Sequence, residues 1–71
     1  MNNSIDARGK ACPIPVIMAK KEADKGNKDF IMLVDNRAAV ENLTRFGKSG
    51  GFDIAVIERG EDEFSVRFIK S

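Results

Sequence analysis

The sequence has no histidine, no tryptophan and no tyrosine, and it has only one cysteine and two prolines in 71 residues. Each absence removes a class of function. A structural zinc site draws about four ligands, mostly from Cys and His, and these residues are not there to supply it. A cysteine paired with a histidine base is excluded as well. A lone cysteine rules out an internal disulfide framework. No apolar run approaches the ~18 residues that a membrane span needs, and the opening segment MNNSIDARGK has no signal-peptide core. The cytoplasm, where a single thiol stays reduced, is the expected compartment. No metal and no cofactor is expected.

Charge is nearly balanced, with 12 basic and 11 acidic side chains and a net charge of +1. A field this weak does not draw in a nucleic acid or a membrane surface. Residues 1–28 carry six basic and three acidic side chains, and residues 29–71 carry six and eight. The small basic bias therefore lies on the side of the cysteine. Hydrophobic residues at 42% and charged residues at 32% are ordinary for a folded chain, and the length suits one domain over 1–71.

Periodicity lays out the elements. SIDA (4–7) reads as a short strand with Ile5 and Ala7 on one side. A helix follows over about 13–25 and stops at Gly26. DFIMLVD (29–35) is a nearly unbroken apolar run, which reads as a strand buried on both faces or central in its sheet. Asp35 or Asn36 can cap a second helix over about 37–48, with Ala39, Val40, Leu43, Phe46 and Gly47 at helical spacing. Gly50 and Gly51 end it. In FDIAVIE (52–58), Phe52, Ile54 and Val56 alternate with Asp53, Ala55 and Ile57. RGED (59–62) is a turn, and in EFSVRFIK (63–70) Phe64, Val66 and Phe68 alternate with Ser65, Arg67 and Ile69. The last two segments form an antiparallel hairpin. The order β-α-β-α-β-β predicts a two-layer α/β sandwich, a four-stranded mixed sheet with two helices on one face.

KACPIP (10–15) concentrates the unusual residues. With Pro13 as the first helical residue, Cys12 is the N-cap. Proline suits that place, because its missing N–H has no partner in a first turn, and it biases Cys12 toward extended backbone. A thiolate at a helix N-terminus has its pKa lowered by the dipole, and Arg8 and Lys10 are near enough in sequence to add positive charge. The two prolines delete two donors that would hold the sulfur. On the helical wheel, Val16, Ala19 and Ala23 form a small-residue stripe facing the sheet. Ile14, Ile17 and Met18 point elsewhere and form an apolar patch beside Cys12, bordered by Lys10 and Lys21. Plainer readings also fit these residues. A lone cysteine is often a small buried hydrophobe, Ile14, Ile17 and Met18 also suit a core, and Lys20, Lys21, Lys25 and Lys28 suit a solvated face.

Asp6, Gly9, Cys12, Pro13 and Pro15, in DARGKACPIP, resemble the Asp-x-x-Gly-Leu-x-Cys-Pro-x-Pro signature of the TusA/SirA-like family of small sulfur carriers. The resemblance covers essentially the whole chain, because that family shares the β-α-β-α-β-β order. Lys10 departs from it, standing where the family usually has leucine. Residues 34–52 look more like the YedF branch, whose members often join this domain to a DsrE-like domain and are linked to selenium metabolism. The resemblance implies a sulfurtransferase-like carrier rather than a stand-alone turnover enzyme. Cys12 would accept a persulfide sulfur from a cysteine desulfurase or another donor. It would pass the sulfur to a DsrE-like or other acceptor, toward tRNA thiolation or related sulfur trafficking. On this reading Asp6, Gly9, Pro13 and Pro15 position the thiol, and Arg8, Lys10, Ile14, Ile17, Met18 and Lys21 support it or dock partners. A YedF-like role in selenium or sulfur metabolism, or as a regulatory thiol module, is the alternative. An RNA-binding domain is a weaker one, because such surfaces rely on stacking aromatics and a basic groove.

Overall fold

The computed structural model describes residues 4–10 and 14–70. Cys12 and Pro13 lie outside the described residues. Six elements follow in the expected order: β1 (Ser4–Asp6), α1 (Ile14–Asp24), β2 (Asp29–Val34), α2 (Arg37–Ser49), β3 (Asp53–Gly60) and β4 (Glu63–Ile69). They build a mixed four-stranded sheet in the order β1-β2-β4-β3. β1 pairs parallel with β2, placing Ile5 beside Met32. β4 lies antiparallel to both β2 and β3, with Met32 beside Val66 and Val66 beside Val56.

Alternation along the strands sends one set of side chains to the helix layer. Phe30, Met32 and Val34 of β2 and Phe64, Val66 and Phe68 of β4 are buried there. Ala19 of α1 and Ala39 and Leu43 of α2 close the core from above, with Val16, Ala23, Val40 and Phe46 at its margin. Phe30 and Phe68, a cross-strand pair, stack with ring centroids 4.7 Å apart. Phe52 meets both rings edge-on, at 5.7 and 5.6 Å, a favourable quadrupole arrangement.

Local chemistry marks the helix ends. Asn36, not Asp35, caps α2: its side-chain oxygen accepts the Ala39 N–H at 2.7 Å. Both helices stop in the same hydrogen-bond pattern. The Asn27 N–H donates to the Glu22 carbonyl and the Phe52 N–H to the Gly47 carbonyl, with Gly26 and Gly51 in the left-handed conformation between them.

Three expectations change. β2 is central, but its two faces are not alike: Phe30, Met32 and Val34 are buried, while Ile31 and Leu33 are half-buried on the face that no helix covers. β3 runs on to Gly60, which leaves Glu61 and Asp62 to turn the chain. Inward burial also fails along β3, where Phe52 before it is buried and Ile54 is half-buried but Val56 is 45% exposed. The physical reason is place. α2 runs alongside β3, with Gly47 over Ile54 and Arg37 3.7 Å from Glu58, but β3 is the outer strand of the sheet, so no strand flanks Val56 on its far side.

α2 lies close to the sheet at Gly47, which is buried. A Cβ there would overlap Ile54 Cδ1 and stand 2.9 Å from Phe68 Cε2. The Phe68 ring cannot easily give way, because it is wedged among Phe30, Phe46 and Phe52. Gly47→Ala is therefore expected to destabilise the fold by about 1–3 kcal/mol through overpacking. Thermal unfolding followed by circular dichroism measures this, and an unchanged midpoint would show that α2 can lift off the sheet at no cost.

Candidate functional site

The candidate site is built around the exit from β1. The parallel ladder ends with the Ala7 N–H donating to the Leu33 carbonyl at 2.8 Å, and the chain then turns at Arg8 and Gly9. The Asp6 carboxylate accepts from the Arg8 backbone N–H at 3.1 Å, closing the turn. The same carboxylate takes the Arg8 guanidinium at both oxygens, at 2.9 and 3.0 Å. The Arg8 side-chain hydrogen bond, then the backbone one, lowers the Asp6 pKa to about 2.

Gly9 sits at φ +75°, a conformation costly for any residue with a Cβ. Its N–H donates to the Asp35 carboxylate at 2.8 Å. Asp35 thus joins the site as a residue that sequence reasoning assigned only to helix capping. The signal for it was topological: parallel neighbours end side by side, so the first residue past β2 stands next to the turn that leaves β1.

The sequence-derived candidates divide. Asp6, Arg8 and Gly9 come together in one turn, with Lys10 next along the chain. The positive charge expected from Arg8 is already bound to Asp6, so Lys10 is the cation of this turn with no ion pair among the described residues. Pro15 is buried in the first turn of α1, where its missing N–H costs no helical bond. Ile14 and Ile17 are 40% and 44% exposed. They share one face of α1 with Lys21, three and seven residues along from Ile14. Met18 does not belong with them, because it is half-buried and packs on the core margin. The first turn of α1 contains no acidic residue that would oppose a negative charge at the helix start.

The lysines of α1 and of the turn after it are partly engaged: Lys20 pairs with Asp24 and Lys25 with Glu22, each at 3.1 Å. All five phenylalanines are buried or half-buried. No aromatic ring among the described residues is left as a stacking platform for bases. A cleft of about 170 Å³ also opens at this end of the sheet, lined by Arg8, Leu33, Val34, Arg59, Glu63 and Phe64. It shares only Arg8 with the sequence-derived candidates.

The Asp6–Arg8 pair makes a pH prediction. Its folded pKa lies below the unfolded value of about 3.9. The stabilisation it contributes is therefore complete above that value and disappears as the pH falls toward 2. A carbon-detected NMR titration should find the Asp6 carboxyl midpoint near 2, returning to the ordinary carboxylate range in Arg8→Gln. Equal midpoints in the two proteins would show that the guanidinium does not hold the carboxylate.

Comparison with known proteins agrees with this geometry. The family model described as sulfurtransferase TusA matches residues 3–70. The chain is 30% identical over 64 residues to MJ0990 of Methanocaldococcus jannaschii, whose name describes it as a sulfur carrier, covering 87% of this chain and 85% of that protein. It is 36% identical over 52 residues to YrkI of Bacillus subtilis, named in the same way, with 70% and 69% covered. The crystal structure of a SirA-like protein from Desulfitobacterium hafniense superposes with a TM-score of 0.84 at 35% identity, with 93% of each chain covered. A match that runs through both helices and all four strands settles the relationship: the chain belongs to the TusA family of sulfurtransferases.

Proposed function

We propose that the protein carries sulfur as a persulfide on Cys12, as a relay component rather than a stand-alone turnover enzyme. The observation that carries this reading is the place of the only cysteine. It falls in sequence between the braced Asp6–Gly9 turn and the start of α1, inside the Cys-Pro-x-Pro segment of a TusA-family chain. The chemistry needs neither metal nor histidine. The Cys12 thiolate attacks the outer sulfur of a donor persulfide, the donor's S–S bond breaks, and the donor cysteine leaves as a thiolate. Cys12 then holds the persulfide. Attack by an acceptor thiolate on its outer sulfur reverses the exchange and returns Cys12 as a thiolate. No net oxidation takes place.

The surroundings support each requirement. A helix start without acidic residues favours the thiolate, and Lys10 is an uncommitted cation two residues away in sequence. Pro13 and Pro15 have no N–H with which to hold the sulfur, which must be released as readily as it is accepted. Ile14, Ile17 and Lys21 form an exposed apolar and basic face beside the segment, suited to donor and acceptor in turn. A cysteine desulfurase is the fitting class of donor, and a DsrE-like protein a fitting acceptor. The sulfur would serve tRNA thiolation or related trafficking in the cytoplasm.

Incubation with a cysteine desulfurase and cysteine, followed by intact mass measurement, should add one sulfur atom to the wild type and none to Cys12→Ala. Equal labelling of the two would place the sulfur elsewhere and end this reading. A second outcome concerns docking. Ile17→Glu is expected to slow sulfur loading by roughly tenfold while leaving the rate of Cys12 alkylation by iodoacetamide unchanged. Equal loading rates would remove α1 from the docking surface.

A further inference from the structure

The longest unprotected feature of the molecule is not in the sulfur site. It is the free edge of β3. Among the described residues the opposite edge, β1, has three residues, whereas β3 has eight. Folded proteins blunt long edges with lysine, proline, bulges or covering loops. β3 has neither lysine nor proline, and its one irregularity lies at its far end, between Glu58 and Gly60. Its centre is four consecutive apolar residues, Ile54 to Ile57. Two of these, Val56 and Ile57, are 45% and 57% exposed. Val56 lies on the helix face and Ile57 on the open face, so the exposed apolar surface wraps around the edge itself.

The charges on this strand say what can sit there. When two copies of one strand pair antiparallel about a two-fold axis, with their helix layers on the same side, paired residues must share a face. The axis then passes through a residue, and Ala55, Val56 and Ile57 are the central choices. An axis at Ala55 sets Asp53 against Ile57. An axis at Ile57 sets Asp53 against Glu61 and Val56 against Glu58. An axis at Val56 sets Asp53 of each copy against Arg59 of the other, at the strand's irregularity, Ile54 against Glu58, Ala55 against Ile57, and Val56 against itself. Only the last register sets opposite charges against each other at both ends, and it keeps Ala55, Val56 and Ile57 together in the middle at the cost of Glu58 facing Ile54. Asp53 and Arg59 are the residues with charge to spare, since neither side chain makes an ion pair among the described residues.

We infer that a second copy of this chain pairs with β3 in that register, joining the two four-stranded sheets into one continuous sheet. This interface goes beyond the sulfur-carrier reading and does not depend on it. α1 packs on β2 and α2, toward the other side of the sheet, so Ile14, Ile17 and Lys21 stay open to partners in the dimer.

Sedimentation equilibrium of the full chain, in reductant to prevent a Cys12 disulfide, from about 1 µM to about 1 mM, tests the inference. The expected result is a reversible monomer–dimer equilibrium that weakens with added salt. Asp53→Arg places like charges opposite each other twice and should raise the dissociation constant about tenfold or more. Arg59→Asp should do the same, and the double variant Asp53→Arg/Arg59→Asp should restore association. Circular dichroism identifies any variant that has lost its fold. If a variant has, the exchange of β3 amide protons at low and high concentration of the wild type decides instead, with slower exchange at high concentration expected. Three results would overturn the inference: a monomer at every concentration, as expected if the edge serves a different protein; association indifferent to either charge reversal; or a double variant no better than the single ones.

Discussion

Three residues of parallel pairing hold the candidate site together. β1 meets β2 over Ser4, Ile5 and Asp6, and parallel strands cannot be joined by a tight turn. The connection must leave the far end of β1, cross the sheet and return, and here it does so through α1. The pairing therefore brings the ends of β1 and β2 together, and with them Asp6, Gly9 and Asp35. Asp6 closes the turn on Arg8, and Asp35 anchors it at the Gly9 N–H. The chain enters KACPIP from a braced start although β1 itself is minimal.

The second constraint is that the sheet is covered on one side only. Phe68 is its centre, stacked on Phe30 and met by Phe52 and Phe46. These rings occupy the space under two short helices, and Gly47 lets α2 come down onto them. What the helices do not reach stays in contact with water. The open face has a mixed character as a result: Ile31 and Leu33 are half-buried, Ser65 is buried between Leu33 and Ile57, and Arg67 is paired with Asp29 at 3.0 Å. β3, as the outer strand, keeps a free edge although α2 runs alongside it as far as Glu58.

Much of this was legible in the residues. Helical spacing of Ala39, Leu43 and Gly47, glycine stops at Gly26 and Gly50–Gly51, and alternation in β4 are local signals, and the structure keeps them. The small stripe Val16, Ala19 and Ala23 likewise faces the core. Legibility failed where coverage mattered. Val56 has the right parity for the core but lies on the outer strand of the sheet, and Met18 packs against the core in a way that no local pattern names. Arg8 looked like a free cation because nothing in the order of residues says that Asp6 would take two of its nitrogen donors.

By itself, the sequence determined the element order, the helix stops, and the segment in which the only thiol falls. These depend on interactions within a few residues, so their spacing is their cause. Only the tertiary structure decided that Asp35 would anchor Gly9 and that the β3 edge would stay uncovered. Those outcomes depend on which strands become neighbours and on which strand is left outermost. Both are set by contacts between residues far apart in the chain.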